Sequence, residues 1–266
     1  MEEEGGNEPK GHEPGVKGGI AMSVSVWDHW GWPLATAVIG FVFAGLLVRQ
    51  YLQRRKPHQL AWAVGFLMYA AAAAMESYSG YVDGWDPTVY RVYIVLAASL
   101  VGFLGLGTVY LVLRRPVWGH AYLVFNLVFL ALFLYGAFTV TLVPDSLVAG
   151  ISVGGKPLGA PLSFPRAYGF FFNIPGTVAL LGGSAYSILK FIRKPEYRYR
   201  AWANVWIILG TLVIAGAGSM ARTGRTVGLY PAEMAGAALL LIGFLQASTL
   251  EKGARAIRQR RRAAAV

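Results

Sequence analysis

Seven apolar stretches punctuate the chain, at Trp32 to Val48, Leu60 to Ser79, Val89 to Leu113, Ala121 to Val143, Tyr168 to Phe191, Trp202 to Ala221 and Tyr230 to Leu250. At about 1.5 Å per residue, about 20 residues cross the hydrocarbon core of a bilayer. A chain inside lipid must also satisfy its backbone hydrogen bonds within itself, which helices do. The spacing therefore predicts an all-α, polytopic membrane protein with a single bundle of seven transmembrane helices over residues 27–250. An acidic tail over 1–26 precedes it and a basic tail over 251–266 follows. With 56% of the 266 residues hydrophobic and only 14% charged, little chain is left for a soluble domain. Met1 to Gly19 is acidic and Gly-rich and lacks the basic-then-apolar order of a secretory signal, so the first tail is expected to be disordered and extracytoplasmic.

The short loops carry the topology. Assigning alternate loops to opposite sides places 17 of the 24 basic residues together, including Arg54, Arg55, Lys56, Arg114, Arg115, Arg193, Lys194 and the run from Lys252 to Arg262. The other side keeps Lys10, Lys17, Arg91, Lys156, Arg166, Arg222 and Arg225. By the positive-inside rule the N-terminus is expected outside and the C-terminus inside, in a plasma membrane of bacterial type. Trp27, Trp30, Trp32 and Trp85 fall at the outer edge and Trp62, Trp118 and Trp202 at the inner one, as an interfacial belt would. Loops and tail account for the net charge of +11, so no nucleic-acid partner is expected. The basic C-terminus is expected to contact anionic lipid headgroups, at about 1 kcal/mol per charge. The alternative for that segment is docking to a cytoplasmic partner.

Residue chemistry narrows the function by what it lacks. With no cysteine there is neither a disulfide nor a thiolate ligand. His12, His29, His58 and His120 sit in the tail or near span ends, which leaves no pair for a bis-His haem, and no HExxH zinc motif is present. The serines at 77, 79, 99, 184 and 187 have no evident His base. No catalytic residue, metal or cofactor is assigned on this basis. Gly102, Gly105 and Gly107 read as a close-packing stripe, Asn126 as an interhelical hydrogen bond and Pro175 as a kink in the fifth span.

Ionisable groups inside spans are expensive and mark candidate sites. Glu76 falls in the outer third of the second span, Arg91 and Glu233 open the third and seventh from outside, Asn173 is near the outer end of the fifth, and Arg222 closes the sixth. Tyr78 and Tyr93 lie at the same level. The expectation is a polar cluster in the outer half, Glu76 and Glu233 against Arg91 and Arg222, serving either as a ligand site or as a structural lock. The Gly- and Pro-rich segment from Pro144 to Arg166 is a candidate cap for that outer mouth.

Trp62, Tyr69, Ala70, Glu76, Trp85, Tyr90-Arg91 and Tyr93, leading into a small-residue helix, resemble the seven-helix membrane input modules of bacterial sensor kinases. The resemblance covers about a fifth of the chain. It implies environmental sensing or ligand binding, with the outer cluster as the receptor face. Since the sequence runs to Val266 with no phosphoacceptor or output domain, it also implies signalling through a separate partner. Rhodopsin-type photochemistry is not expected, because the last span offers no lysine for a retinal Schiff base. The expected function is non-enzymatic binding, as a sensor or receptor-like module or an accessory subunit of a membrane complex. The alternative is a small-solute transporter with an outward-facing polar pocket.

Overall fold

The computed structural model describes residues 30–113, 115–147, 154–222 and 228–263, and the side chains of all of these except 196, 219–222 and 248–263. The tail over 1–26 and the side chains of the basic tail therefore lie outside the described residues. Among the described residues seven α-helices follow one another: α1 (Trp32–Arg54), α2 (Pro57–Tyr81), α3 (Pro87–Val112), α4 (Pro116–Thr139), α5 (Gly169–Phe191), α6 (Arg198–Arg222) and α7 (Leu229–Ala263). No strand occurs among the described residues.

Local chemistry sets the helix ends. Proline occupies the first turn of α1, α2, α3 and α4, where its fixed φ suits a helix and its missing N–H costs nothing. Asp86 caps α3, its Oδ1 accepting from the Thr88 and Val89 amides at 2.8 and 3.0 Å. Arg55, at φ 52°, closes α1 in the left-handed conformation. Pro175 lies within α5 rather than ending it and leaves the Phe171 carbonyl without its helical donor.

Six of the seven helices are long and apolar enough to cross a membrane. The remaining one, α5, has the length at 23 residues, but Asn173, Pro175, Ser184, Ser187 and its glycines dilute its apolar character. Outward faces confirm the solvent. Helix α4 buries only Gly119, Asn126, Phe133, Gly136 and Ala137, and exposes Val124, Leu127, Val128, Leu132, Leu134 and Phe138. Water does not tolerate a continuous apolar surface of that size, whereas lipid does. The chain is an all-α protein of multi-pass membrane type.

Helix order in space departs from helix order in sequence. Each of α1, α2 and α3 packs on the next, α3 then packs on α5, α5 on α6, α6 on α7, and α7 returns to α1. The result is a closed ring of six helices. Helix α4 stands outside it, seated on α3. Two close approaches make the ring possible. A Cβ on Gly105 of α3 would lie 2.6 Å from the Gly176 Cα of α5, and one on Gly210 of α6 would lie 2.7 Å from the Gly236 carbonyl oxygen of α7. Glycine at these positions lets backbones touch, which is how helices associate where the solvent is itself apolar.

Two apolar clusters fill the interior. Phe43, Leu47, Phe66, Tyr69, Leu100, Leu104, Leu180 and Leu240 occupy the centre of the ring, with the Phe43 and Phe66 rings 3.9 Å apart. Trp85, Tyr90, Tyr93, Phe133 and Phe172 form the second cluster, where α3 meets α4 and α5. The segment between α4 and α5 covers this second cluster. Leu158 is 2% exposed within it, Tyr90 Oη donates to the Gly154 carbonyl at 2.8 Å, and Arg166 Nη1 donates to the Gly159 carbonyl at 2.6 Å.

Candidate functional site

The structure brings together part of the polar cluster expected in one half of the bundle. Glu76 of α2 is 5% exposed and accepts a 2.7 Å hydrogen bond from Tyr93 Oη of α3. The Glu233 carboxyl of α7 lies within electrostatic reach of Glu76, and Tyr69 Oη donates to the Glu233 backbone carbonyl at 3.0 Å. Three helices thus meet through Glu76, Tyr93, Tyr69 and Glu233. Tyr69, seven residues before Glu76 and so on the same face of α2, was not among the residues expected in the cluster.

Arg91 takes a different role from the expected pairing with these carboxylates. Two residues along a helix turn about 200°, so with Tyr93 facing α2, Arg91 faces the other way. Its guanidinium donates to the Ala137 carbonyl and, at 3.0 Å, to the Val140 carbonyl. These oxygens belong to the last turn of α4, where carbonyls lack helical donors and the helix dipole favours a cation. Arg91 is a cap that fastens α4 to the ring. Asn173 is also a fastener: Nδ2 donates to Gly169 O at 2.8 Å within α5 and to Ala98 O of α3 at 3.3 Å. Tyr78 stands apart on the outward face of α2, 51% exposed. The Arg222 side chain lies outside the described residues. Asn126, fully buried, donates to Tyr122 O at 3.0 Å and reaches Gly102 O of α3 at 3.5 Å, the interhelical contact its position predicted.

A different place in the molecule has the geometry of a binding site. A cavity of about 420 Å³ lies inside the ring at the end that carries the basic loops. All six ring helices line it and α4 does not. Its depth is apolar, with Phe43, Phe66, Leu104, Leu180, Leu240 and Phe244. Above these come Gln59, Ser184, Ser187 and Asn204, and at the mouth Arg54, Lys56, Lys190 and Arg200. Among the described residues no carboxylate lines it.

Helix geometry explains why these side chains converge. On α1, Arg54, Gln50, Leu47 and Phe43 are spaced three or four apart and so share one face. The same spacing runs through Lys190, Ser187, Ser184 and Leu180 on α5, and through Arg200, Asn204, Ile207 and Thr211 on α6. Gln59, Trp62 and Phe66 repeat it on α2.

Several lining groups are held in place from behind. Trp62 Nε1 donates to Leu104 O at 3.0 Å, and its ring lies where a Cβ on Gly107 would stand, so it packs flat on α3. Arg200 lies over the rings of Phe191 and Tyr197, 5.6 and 5.4 Å from their centroids, and Nε donates to Tyr199 Oη at 3.2 Å. Lys190 lies over Tyr186 at 5.4 Å. Stacking on aromatic faces fixes a cation without neutralising it. Gln59 contrasts with these: it is 2% exposed, and its Oε1 has no hydrogen-bond partner. A buried amide oxygen left without a donor costs stability, and of the described buried oxygens in this condition Gln59 Oε1 is the one on a residue lining the cavity.

The expected tryptophan belt changes for the same reason. Trp118 and Trp202 are 58% and 53% exposed, as interfacial residues would be. Trp62 instead lines the cavity, and Trp85, 7% exposed, belongs to the second apolar cluster. None of the cavity's polar residues was singled out from the sequence as binding. The signal was there, as a step from cation through amide or hydroxyl to apolar residue on one face of several helices at the same end. Comparison with known proteins returns no matching family model, no matching curated protein and no matching solved structure.

Proposed function

We propose that this chain is a seven-span protein of the bacterial plasma membrane, N-terminus out and C-terminus in. In this reading it acts as a non-enzymatic binding module, either a sensor or an accessory subunit of a membrane complex. The basic loops support the orientation, which makes the basic end cytoplasmic, and the exposed Trp118 and Trp202 suit a membrane interface at that end. The helical length of α5 and its place in the ring support counting it as a seventh span.

One observation carries the binding reading: a cavity of about 420 Å³ lined by six helices and open at one end, with apolar walls and polar groups near its mouth. Ligand pockets run from about 300 to 1,000 Å³ and combine mostly apolar linings with a few placed polar groups. The receptor face is then the cytoplasmic cavity, and Glu76, Tyr93 and Glu233 join helices in the opposite half. Purification of the full chain in mild detergent, followed by mass spectrometry of everything retained, tests this. Wild type should carry a small molecule that a cavity-filling Ser187→Trp variant of equal thermal stability loses. An empty wild type, or the same retained molecules in both, would defeat the reading.

Solute transport is the second reading, favoured by the cavity opening at one end while aromatic side chains fill part of the other. It predicts uptake into proteoliposomes that Glu76→Gln abolishes. Uptake unaffected by that change would exclude the carboxylate from the path.

A further inference from the structure

We infer that the cavity takes a long-chain anionic amphiphile, with its phosphate or carboxylate head at the Arg54, Lys56, Lys190 and Arg200 mouth and its chain against the apolar floor. This rests on the reading of the cavity as a ligand site and names the ligand class.

Polarity along the lining carries the inference. On α1 and α5 the same order repeats from the mouth inward: a cation, then an amide or hydroxyl, then apolar residues; α6 begins the same way with Arg200, Asn204 and Ile207 but places the Thr211 hydroxyl deeper. Arg54 and Phe43 are the ends of this gradient on α1. Eleven residues separate them, so the gradient is about 16 Å long at about 1.5 Å per residue. That is close to half the roughly 30 Å hydrocarbon core, the length of one leaflet. The profile therefore matches, in both order and length, a molecule with one charged end and a chain as long as a lipid tail.

The sign and the contact point are also fixed. Four cations and no carboxylate among the described lining residues select an anion. Two of them, Lys190 and Arg200, lie over aromatic rings that hold them at the mouth. Gln59 lies between mouth and floor, where the head joins the chain. Its amide can donate to an anionic oxygen, and its unpartnered Oε1 can accept from a hydroxyl or N–H of the head region. A free inorganic anion would leave the apolar floor unused, and a neutral oil would make no use of the positive charge at the mouth.

Trp62 supplies the readout because it lines the cavity below Gln59. The full chain is reconstituted in zwitterionic nanodiscs and titrated with a fatty acid brominated mid-chain, a brominated alkyl phosphate, and the corresponding neutral brominated alcohol. The two anions should quench a component of the fluorescence saturably, and Trp62→Phe should remove that component. The alcohol should bind at least tenfold more weakly. Gln59→Leu and the paired change Lys190→Gln with Arg200→Gln should each weaken the anions fivefold or more, with circular dichroism unchanged. Inorganic phosphate at millimolar concentration should not displace them. Adding phosphatidylglycerol to the nanodiscs identifies the source. Competitive loss of fatty-acid binding means that the membrane's own lipid fills the site, and unchanged binding means a free amphiphile does. Equal binding of the alcohol, displacement by phosphate, or quenching that survives both Trp62→Phe and Gln59→Leu overturns the inference. The binding reading is judged separately, by what the purified protein retains.

Discussion

Gly176→Ala tests the contact that closes the ring past α4. A Cβ there would stand 2.3 Å from the Val101 carbonyl oxygen and 2.6 Å from its carbonyl carbon, both backbone atoms of α3. No rotamer change can move a backbone, so α3 and α5 must separate by about 1 Å before ordinary contact, which begins near 3.4 Å, is restored. Overpacking of this kind costs about 1–3 kcal/mol, against which alanine recovers about 0.5–1 kcal/mol of helix propensity over glycine. The net expectation is a loss of about 1 kcal/mol, within a range of about 0–2.5 kcal/mol. Gly182, on the same helix, has nothing within 4 Å of a Cβ, so Gly182→Ala keeps the propensity gain alone. It should be stabilising by about 0.5–1 kcal/mol. Equilibrium unfolding of the full chain in mixed micelles, followed by circular dichroism, separates two variants of opposite sign. A Gly176→Ala protein as stable as Gly182→Ala would show that α3 and α5 do not touch as described and would open the ring.

Further outcomes follow from single groups. Arg91→Leu strips the donor from two α4 carbonyls and should cost about 2–4 kcal/mol in the same unfolding assay, while Arg91→Lys should recover less than half because an ammonium cannot fork across both oxygens. Tyr93→Phe deprives Glu76 of a 2.7 Å donor and should cost about 1–2 kcal/mol; a loss below about 0.3 kcal/mol would mean that the bond holds nothing together. Gln59→Leu should stabilise the ligand-free protein by about 1 kcal/mol, by removing a buried amide oxygen with no partner, even as it weakens ligand binding. A destabilised Gln59→Leu would instead give that amide a structural role.

Hydropathy made the helices legible but not their neighbours. Helices α3 and α4 have nearly equal mean hydropathy, 2.2 and 2.1, yet 67% of the apolar window of α3 is buried and only 22% of that of α4. Lipid tails and protein interiors are equally apolar, so a residue scale cannot tell a central helix from a peripheral one. The small residues spoke more clearly: the stripe through Gly102 and Gly105 lies where α3 meets Asn126 and Gly176. For the site, the cost of burying charge drew attention to Glu76, Arg91 and Glu233, and Glu76 and Glu233 do lie within electrostatic reach of each other. Arg91 could not be assigned, because its partners are backbone carbonyls of α4, which every residue possesses. Arg54, Lys190 and Arg200 were legible only as topology markers. Their second use depends on which helix faces converge, and that follows from the ring rather than from any one segment.

The chain has no cysteine, so single introduced thiols report without a background. The most direct test of the account compares Ser187→Cys and Asn204→Cys, which line the cavity, with Leu189→Cys, which is 75% exposed on the outward face of α5. Right-side-out and inverted vesicles are treated with a membrane-impermeant maleimide. The account predicts that the two cavity positions label only in inverted vesicles, that a fatty acid protects them, and that Leu189→Cys labels in neither. Labelling of the cavity positions from the outer face, or silence equal to that of Leu189→Cys, would contradict it.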